Sequence, residues 1–448
     1  MGTCIAAIQC AITAILLVST TVSSDDKSPI PADPSSLNKW FQDNVRPLAE
    51  RKGTIDPALM AAEAKPRTIK VRKDGSGEFK TLKEAINSIP TGNKQRVIVH
   101  IGPGEYIEKL KIERGKPFVT FLGSPGNMPT LSFDGTARKY GTVYSATLEA
   151  EADYFVAANV IFKNSAPMPK GQLKGEQAVA LRIAGDKSAF YNCRFLGFQD
   201  TLCDDKGRHL FKDCYIEGTV DFIFGSGKSL YLGTKLHVIG DEKGNFITAQ
   251  ARNNEAENTG FSFVHCKVDG IGTKKAYLGR AWQQRPRVVF SYTTMSSVVN
   301  PEGWSNNLHP ERDQTALFGE YKCNGVGANL AARAKASKQL TPGQVAPFIS
   351  LGFIEAPLID ATTMNEHYRH GGNVGLYNGE KDVETREKEG LQYGRKTIET
   401  VTSIYRYGGV VVKGCGAEER DVVLVNMIGL LCCLVRRESC NMMKMEYD

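Results

Sequence analysis

The chain has 448 residues, 41% of them hydrophobic and 23% charged, with a formal net charge of +7. That length suits one large solenoid or two conventional domains, and the positive balance is compatible with a polyanionic partner. Of eleven cysteines only five lie in the body of the chain, an odd number that excludes a full disulfide framework.

The apolar run from Cys4 to Val18, followed by small and hydroxylated residues to Ser24, predicts a cleaved secretory signal over residues 1–24 rather than a membrane span. Ala6 argues against N-myristoylation, and the sequence contains no Asn-x-Ser/Thr site for N-glycosylation. Residues 25–66 are polar and proline-rich and read as a mobile N-terminal arm with one short helix around Trp40 to Ala49. From Arg67 the pattern becomes that of a domain reaching to residue 355. TIKVRKDGSGEF reads as strand and turn, TLKEAINSIP as a capped helix stopped by Pro90, and RVIVHIGPGEYIEKLKI as strand, tight turn, strand.

A repeat follows. The segments from Phe190 (FYNCRFLG), Phe211 (FKDCYIEG) and Phe263 (FVHCKVDG) share the pattern aromatic-x-polar-Cys-x-apolar-x-Gly, and AANVIFKNSA from Ala157 is a looser relative. Short alternating segments that recur every 20 to 25 residues, rich in aromatic and β-branched side chains and free of helical stripes, predict a solenoid of strands, a parallel β-helix. It runs to about Tyr321. Cys193 and Cys214, 21 residues apart, fall on neighbouring coils, where either a bridge or two stacked buried thiols fits. Ala328 to Ile354 reads as helix, loop, helix packed along the solenoid. Residues 356–448 lose the period and are expected to form an atypical tail outside the fold. Its apolar stretch Val422–Val435 is 14 residues long and too short to span a bilayer, and its polar end rules out a lipid-anchor signal.

The period gives four polar residues a meaning. Gln177 and Gln199 are 22 residues apart, and Asp200 and Asp221 are 21 apart. In a stack of coils about 4.8 Å apart they form one cluster. A structural turn-capping ladder would repeat one residue type, whereas this one alternates amides with carboxylates. Two other features carry no chemistry. GSGKS at Gly225 lacks the first glycine of a phosphate-binding loop, because Phe222 stands there. His209, His237 and His265 stand apart from ligand-like company, so no metal site and no cofactor is expected.

GPGEYIEKL from Gly102, GEQAVALR, GFQDTL, GTVDFIFG and LGRAW, in this order, resemble the plant pectin methylesterases over about Arg67 to Glu355. The likeness is to the short class without an inhibitor-like pro-region. It implies a right-handed parallel β-helix of the pectin lyase type with short peripheral helices, and hydrolysis of the C6 methyl ester of galacturonate with release of methanol. By this resemblance Asp221 is the nucleophile, while Asp200 protonates the departing methanol and then activates water. Arg280 pairs with Asp221, and the amides of Gln177 and Gln199 stabilise the oxyanion. Trp282 offers a flat face to a sugar ring, Thr142 aligns with a substrate-contacting threonine, and Phe198 and Phe222 flank the aspartates as groove-lining candidates. The implied partner is methylated homogalacturonan, with proteinaceous pectinesterase inhibitors as further partners. A secreted, monomeric cell-wall enzyme with neither nucleic acid nor membrane as partner is expected.

Rival readings share the architecture, since fold alone does not set the reaction. A pectate lyase needs calcium-binding acidic clusters and a basic proton abstractor, and a polygalacturonase needs paired aspartates with a histidine; neither constellation is evident. A non-catalytic or inactive wall-binding protein with a disrupted C-terminus is the alternative outside the enzymes.

Overall fold

The structure is a computed structural model that describes residues 27–45, 56–170, 174–240 and 244–355. The expected signal and the tail after Glu355 lie outside the described residues.

Most coils of the described chain contribute one short strand to each of three sheets in turn. The sheets have eleven, eight and eight strands, and every pairing between successive coils is parallel. The first coil, Arg67–Val71, is linked to Val97–Ile101 through the helix Leu82–Asn87. That helix carries the capping box the sequence suggested: Glu84 N–H donates to Thr81 Oγ1, and Thr81 N–H donates to the Glu84 carboxylate. The Asp-Gly-Ser-Gly turn and the strands Glu105–Ile107 and Leu110–Ile112 also follow the reading. The parallel β-helix is as expected.

The repeat pattern has a physical meaning in this fold. The aromatic residue that opens each repeat points inward and stacks on its equivalent one coil away. Phe190, Phe211, Tyr231, Phe263 and Phe290 form a continuous pile, with ring centroids 4.8, 4.6, 4.4 and 4.5 Å apart. The spacing of the pile is that of neighbouring strands, so in-register pairing and ring stacking reinforce each other. Two residues later the chain turns toward the next sheet through one left-handed residue. Asn159, Asn192, Asp213, Gly233, His265, Tyr292 and Lys322 all take positive φ there, between 47° and 64°. The cysteine that follows the turn points inward: Cys193, Cys214 and Cys266 are buried, unbridged thiols, and burial pushes the Cys193 and Cys266 thiols up to about 12. Stacked thiols, rather than a Cys193–Cys214 bridge, are what the turn holds.

Two expectations are corrected. The supposed mobile arm, as far as it is described, packs on the barrel. Ile30 N–H donates to Ile349 O at 2.7 Å, and Ile30 and Leu37 belong to the buried apolar cluster that includes Tyr191 and Leu210. Its helix spans Leu37–Asn44, and a second helix, Pro57–Glu63, is N-capped by Asp56 and anchored by the buried Glu63–Arg96 pair at 2.6 Å. Asp-Pro is a helix-start signal that the sequence reading passed over. In the other correction, the alanine-rich stretch after Ala328 is not helical. Arg333 donates to Glu320 Oε1 at 2.8 Å and to Gly327 O at 2.7 Å, and Ser337–Gln339 becomes the last strand of the large sheet. Covering an open sheet edge and pairing a buried glutamate outweigh helix propensity.

Candidate active site

The residues predicted for catalysis converge on one of the eight-stranded sheets. This sheet runs through Leu110–Ile112, Leu148–Ala150, Leu181–Ile183, Leu202–Asp204, Val220–Gly225, Asn245–Gln250, Ala276–Arg280 and Trp304–Ser305, in that order. Gln177, Gln199 with Asp200, and Asp221 lie where the chain enters three consecutive strands of it. Leu202 pairs in register with Ile223, which places Asp200 beside Asp221 on adjacent coils.

Local backbone geometry aims the two carboxylates. Asp200 and Asp221 have φ of 66° and 51°, a left-handed conformation that Asp tolerates better than most residues. At Asp221 the pairing with the next strand slips between Val220 and Ile223, a bulge that breaks the in–out alternation. Main-chain bonds lock the three coils together: Ala178 N–H donates to Gln199 O at 3.1 Å, Asp200 N–H to Val220 O at 2.9 Å, and Thr219 N–H to Phe198 O at 2.9 Å. Gly218 is required at this crossing, because a Cβ there would sit 2.2 Å from the Phe222 Cβ and 2.6 Å from Phe198 O.

The aspartates have different surroundings. Arg280 reaches from two coils away and grips Asp221 at two points: Nε donates to Oδ1 at 2.8 Å, and Nη2 donates to Oδ2. Asp200 is equally buried, but its carboxyl has no hydrogen-bond partner among the described residues. Burial pushes the Asp200 carboxyl well above the ordinary range, and the neighbouring Asp221 charge adds to the effect. Burial also raises Asp221, while the Arg280 guanidinium pulls it back down. Burial raises both carboxyls, and only at Asp221 does a hydrogen-bonded guanidinium oppose the rise.

The remaining candidates fall into place around this pair. Gln177 and Gln199 are half-buried, and neither side-chain amide has a partner among the described residues, so both have donors to spare. Trp282 is 47% exposed, and one of its faces covers the Arg280 guanidinium at 5.0 Å. Thr142, half-buried, precedes a helical turn at Val143–Ser145 on the coil before that of Gln177. Phe198 is half-buried beside Gln199. Phe222 is a correction: it is fully buried in the main core and presents no face to a groove. The bulge at Asp221 turns the aspartate outward, and the next side chain points in.

Three neighbours escaped the sequence reading. The Phe246 ring lies under the Arg280 guanidinium carbon at 5.0 Å, Asn307 Oδ1 accepts from Arg280 Nη1 at 3.1 Å, and buried Arg312 donates to Ala281 O at 2.6 Å, anchoring the chain beside Trp282. Phe246 follows Asp221 by 25 residues, so the coil period could have found it. Asn307 and Arg312 carry no such signal. A second apparent constellation is structural. His209 Nδ1 lies 2.6 Å from Asp204 Oδ1 and 3.4 Å from Ser229 Oγ, but all three side chains are fully buried. One nitrogen faces both partners, and Nε2 faces Gly185 O at 3.0 Å, which leaves the serine no base.

The family model described as Pectinesterase matches residues 68–356. "Probable pectinesterase 50" of Arabidopsis thaliana is 53% identical over 341 residues, covering 76% of this chain and 94% of that protein. "Pectinesterase 2" of Olea europaea is 52% identical over 351 residues, covering 78% and 95%. Among solved structures, the pectin methylesterase from carrot superimposes with a TM-score of 0.59 at 30% identity, covering 66% of this chain and 96% of that one. A pectin methylesterase in complex with a hexasaccharide gives a TM-score of 0.56 at 27% identity, covering 65% and 98%.

Proposed function

The chain belongs to the pectinesterase family and removes the methyl esters of pectin; we propose that Asp221 is its nucleophile and Asp200 its acid and base. The observation that carries this reading is the asymmetry of the pair. One buried carboxylate is gripped at two points by Arg280, and the other, one coil away, has no hydrogen-bond partner among the described residues and is raised well above the ordinary range by burial and by the first one's charge.

Asp221 attacks the C6 carbonyl carbon of a methylated galacturonate unit. The electron pair of the C=O bond moves onto oxygen, and the amides of Gln177 and Gln199 donate to that oxyanion. Collapse of the tetrahedral centre breaks the bond to methoxide, which takes the Asp200 proton and leaves as methanol. A galacturonoyl–Asp221 anhydride remains. Asp200, now ionised, draws a proton from water as the water attacks the anhydride, and Asp221 leaves as the carboxylate it was at the start. Asp200 thus ends protonated again, and demethylated pectin departs. Trp282, Thr142 and Phe198 line the path of the polysaccharide. The protein is secreted and acts as a monomer on cell-wall pectin, where proteinaceous pectinesterase inhibitors are its further partners.

Methanol release from highly methylated pectin, measured for the full chain beside Asp221→Ala, tests the reading. Release by the parent and none by the variant supports it. Equal release from both removes Asp221 from the mechanism.

A further inference from the structure

We propose that Asn307 is a positioning residue for this reaction, fixing the in-plane orientation of the Arg280 guanidinium so that two of its nitrogens face Asp221. The inference rests on the assignment of Asp221 as nucleophile and adds a residue that acts on it through Arg280.

A guanidinium is a planar fork, and its value to a carboxylate depends on both N–H bonds pointing at both oxygens. The Arg280 guanidinium carbon lies over the Phe246 ring and over the Trp282 ring, 5.0 Å from each centroid. Such ring contacts hold the cation in place but set no direction for its individual N–H bonds. Rotation within the plane must be stopped by a contact at the edge. Nε and Nη2 are committed to Asp221, and Nη1 donates to Asn307 Oδ1 at 3.1 Å. No other acceptor for Arg280 occurs among the described residues, so Asn307 is the edge stop.

The backbone around Asn307 serves this placement. Ser305 pairs in register with Arg280 on the last strand of the sheet, and its hydroxyl accepts from Asn307 N–H at 3.0 Å. Asn307 then takes φ of 59°, a left-handed conformation in which Asn is among the favoured residues. Leu308 follows at 61°, where a branched side chain is costly, so two successive left-handed residues are retained beside the site. The turn that results points a neutral amide oxygen at Arg280. A neutral acceptor orients the cation without competing with Asp221 for its charge. The charged group acting on Asp221 is Arg280, and the Asp221 charge in turn acts on the adjacent Asp200.

The test compares Asn307→Gly, which keeps the left-handed backbone and deletes the acceptor, with Asn307→Asp, which keeps both. For Asn307→Gly, kcat falls about tenfold, the scale of one hydrogen bond to a charged group. KM stays within about twofold and the acid limb of the kcat/KM profile moves to higher pH, because an Asp221 less well paired ionises later. Asn307→Asp restores the edge contact but adds a charge that competes for Arg280, so it recovers kcat only in part. A parent-like kcat and acid limb in Asn307→Gly overturns the inference, and so does a loss confined to KM or to Tm with an unmoved limb. If the glycine variant does not fold, Asn307→Ser, too short to reach Arg280, is held to the same readouts. Asp221→Asn is assayed in the same series. Activity retained there refutes the nucleophile assignment itself, whereas an inactive Asp221→Asn beside an unaffected Asn307→Gly refutes only the role of Asn307.

Discussion

Replacement of Arg280 by alanine is the perturbation whose consequences the site geometry sets most tightly. Asp221 is 7% exposed and Arg280 19%, so the variant leaves a buried carboxylate without its counter-charge. Removing one partner of a buried pair costs about 3–5 kcal/mol when the other stays charged, and each 1.4 kcal/mol is about tenfold in an equilibrium. Asp221 escapes that cost by taking up a proton, which disables it as a nucleophile. At neutral pH, kcat/KM therefore falls on the order of 100- to 1,000-fold. The pH dependence carries the sign. Burial already raises the folded pKa of Asp221 above its unfolded value, so ionisation opposes folding as pH rises through the carboxylate range. Losing Arg280 raises that pKa further. The variant's stability deficit is then absent in acid, where the group is protonated folded and unfolded, and grows as pH rises. The acid limb of activity moves up in the same direction. Arg280→Lys keeps a charge but not the two-point contact and falls between parent and alanine. Methanol release and thermal unfolding across the acid-to-neutral range measure both effects. A large activity loss with an unmoved acid limb would refute this reasoning and leave Arg280 as a substrate contact alone.

Other consequences are equally direct. Gln177→Ala and Gln199→Ala each lower kcat about 100-fold in the same methanol assay. Their Tm changes little, since neither amide is bonded to the described protein. Asp200→Asn abolishes turnover yet melts no earlier than the parent at neutral pH and gains about 1 kcal/mol toward alkaline pH, where the parent must ionise a carboxyl with a raised pKa. No gain at any pH in a thermal-melt series refutes that assignment of the proton. Phe211→Ala opens the aromatic pile between Phe190 and Tyr231 and costs about 3–5 kcal/mol in denaturant unfolding. Reductant leaves Tm unchanged, because the described cysteines are unbridged; a drop in Tm would reveal a disulfide.

The reading of the coil region succeeded because a solenoid writes its structure into a one-dimensional period. Phe190, Phe211 and Phe263 recur because each ring needs a ring above and below it, and the polar residue before each cysteine recurs because each coil turns through a left-handed residue. The failures lie where no period operates. The segment at 27–45 looks polar and mobile as sequence, yet Ile30 and Leu37 find an apolar surface that only the assembled sheets create. The Ala328 segment has helix-forming residues, but an open strand edge and the Glu320 carboxylate claim it. Phe222, next to a catalytic candidate, reads as a groove-lining candidate, and the bulge at Asp221 sends it inward.

The same division runs through the active site. Gln177, Gln199, Asp200 and Asp221 are one coil apart in sequence, and parallel stacking turns that interval into adjacency, so their cluster was determined by the sequence itself. The arrival of Arg280 beside Asp221, its contact with Phe246 and Trp282, and its restraint by Asn307 depend on side-chain reach across coils of unequal length. The splitting of the aspartates depends on which buried carboxylate that guanidinium reaches. Period is local information, repeated; burial and long-range charge pairing are properties of the folded stack and exist only once it has formed.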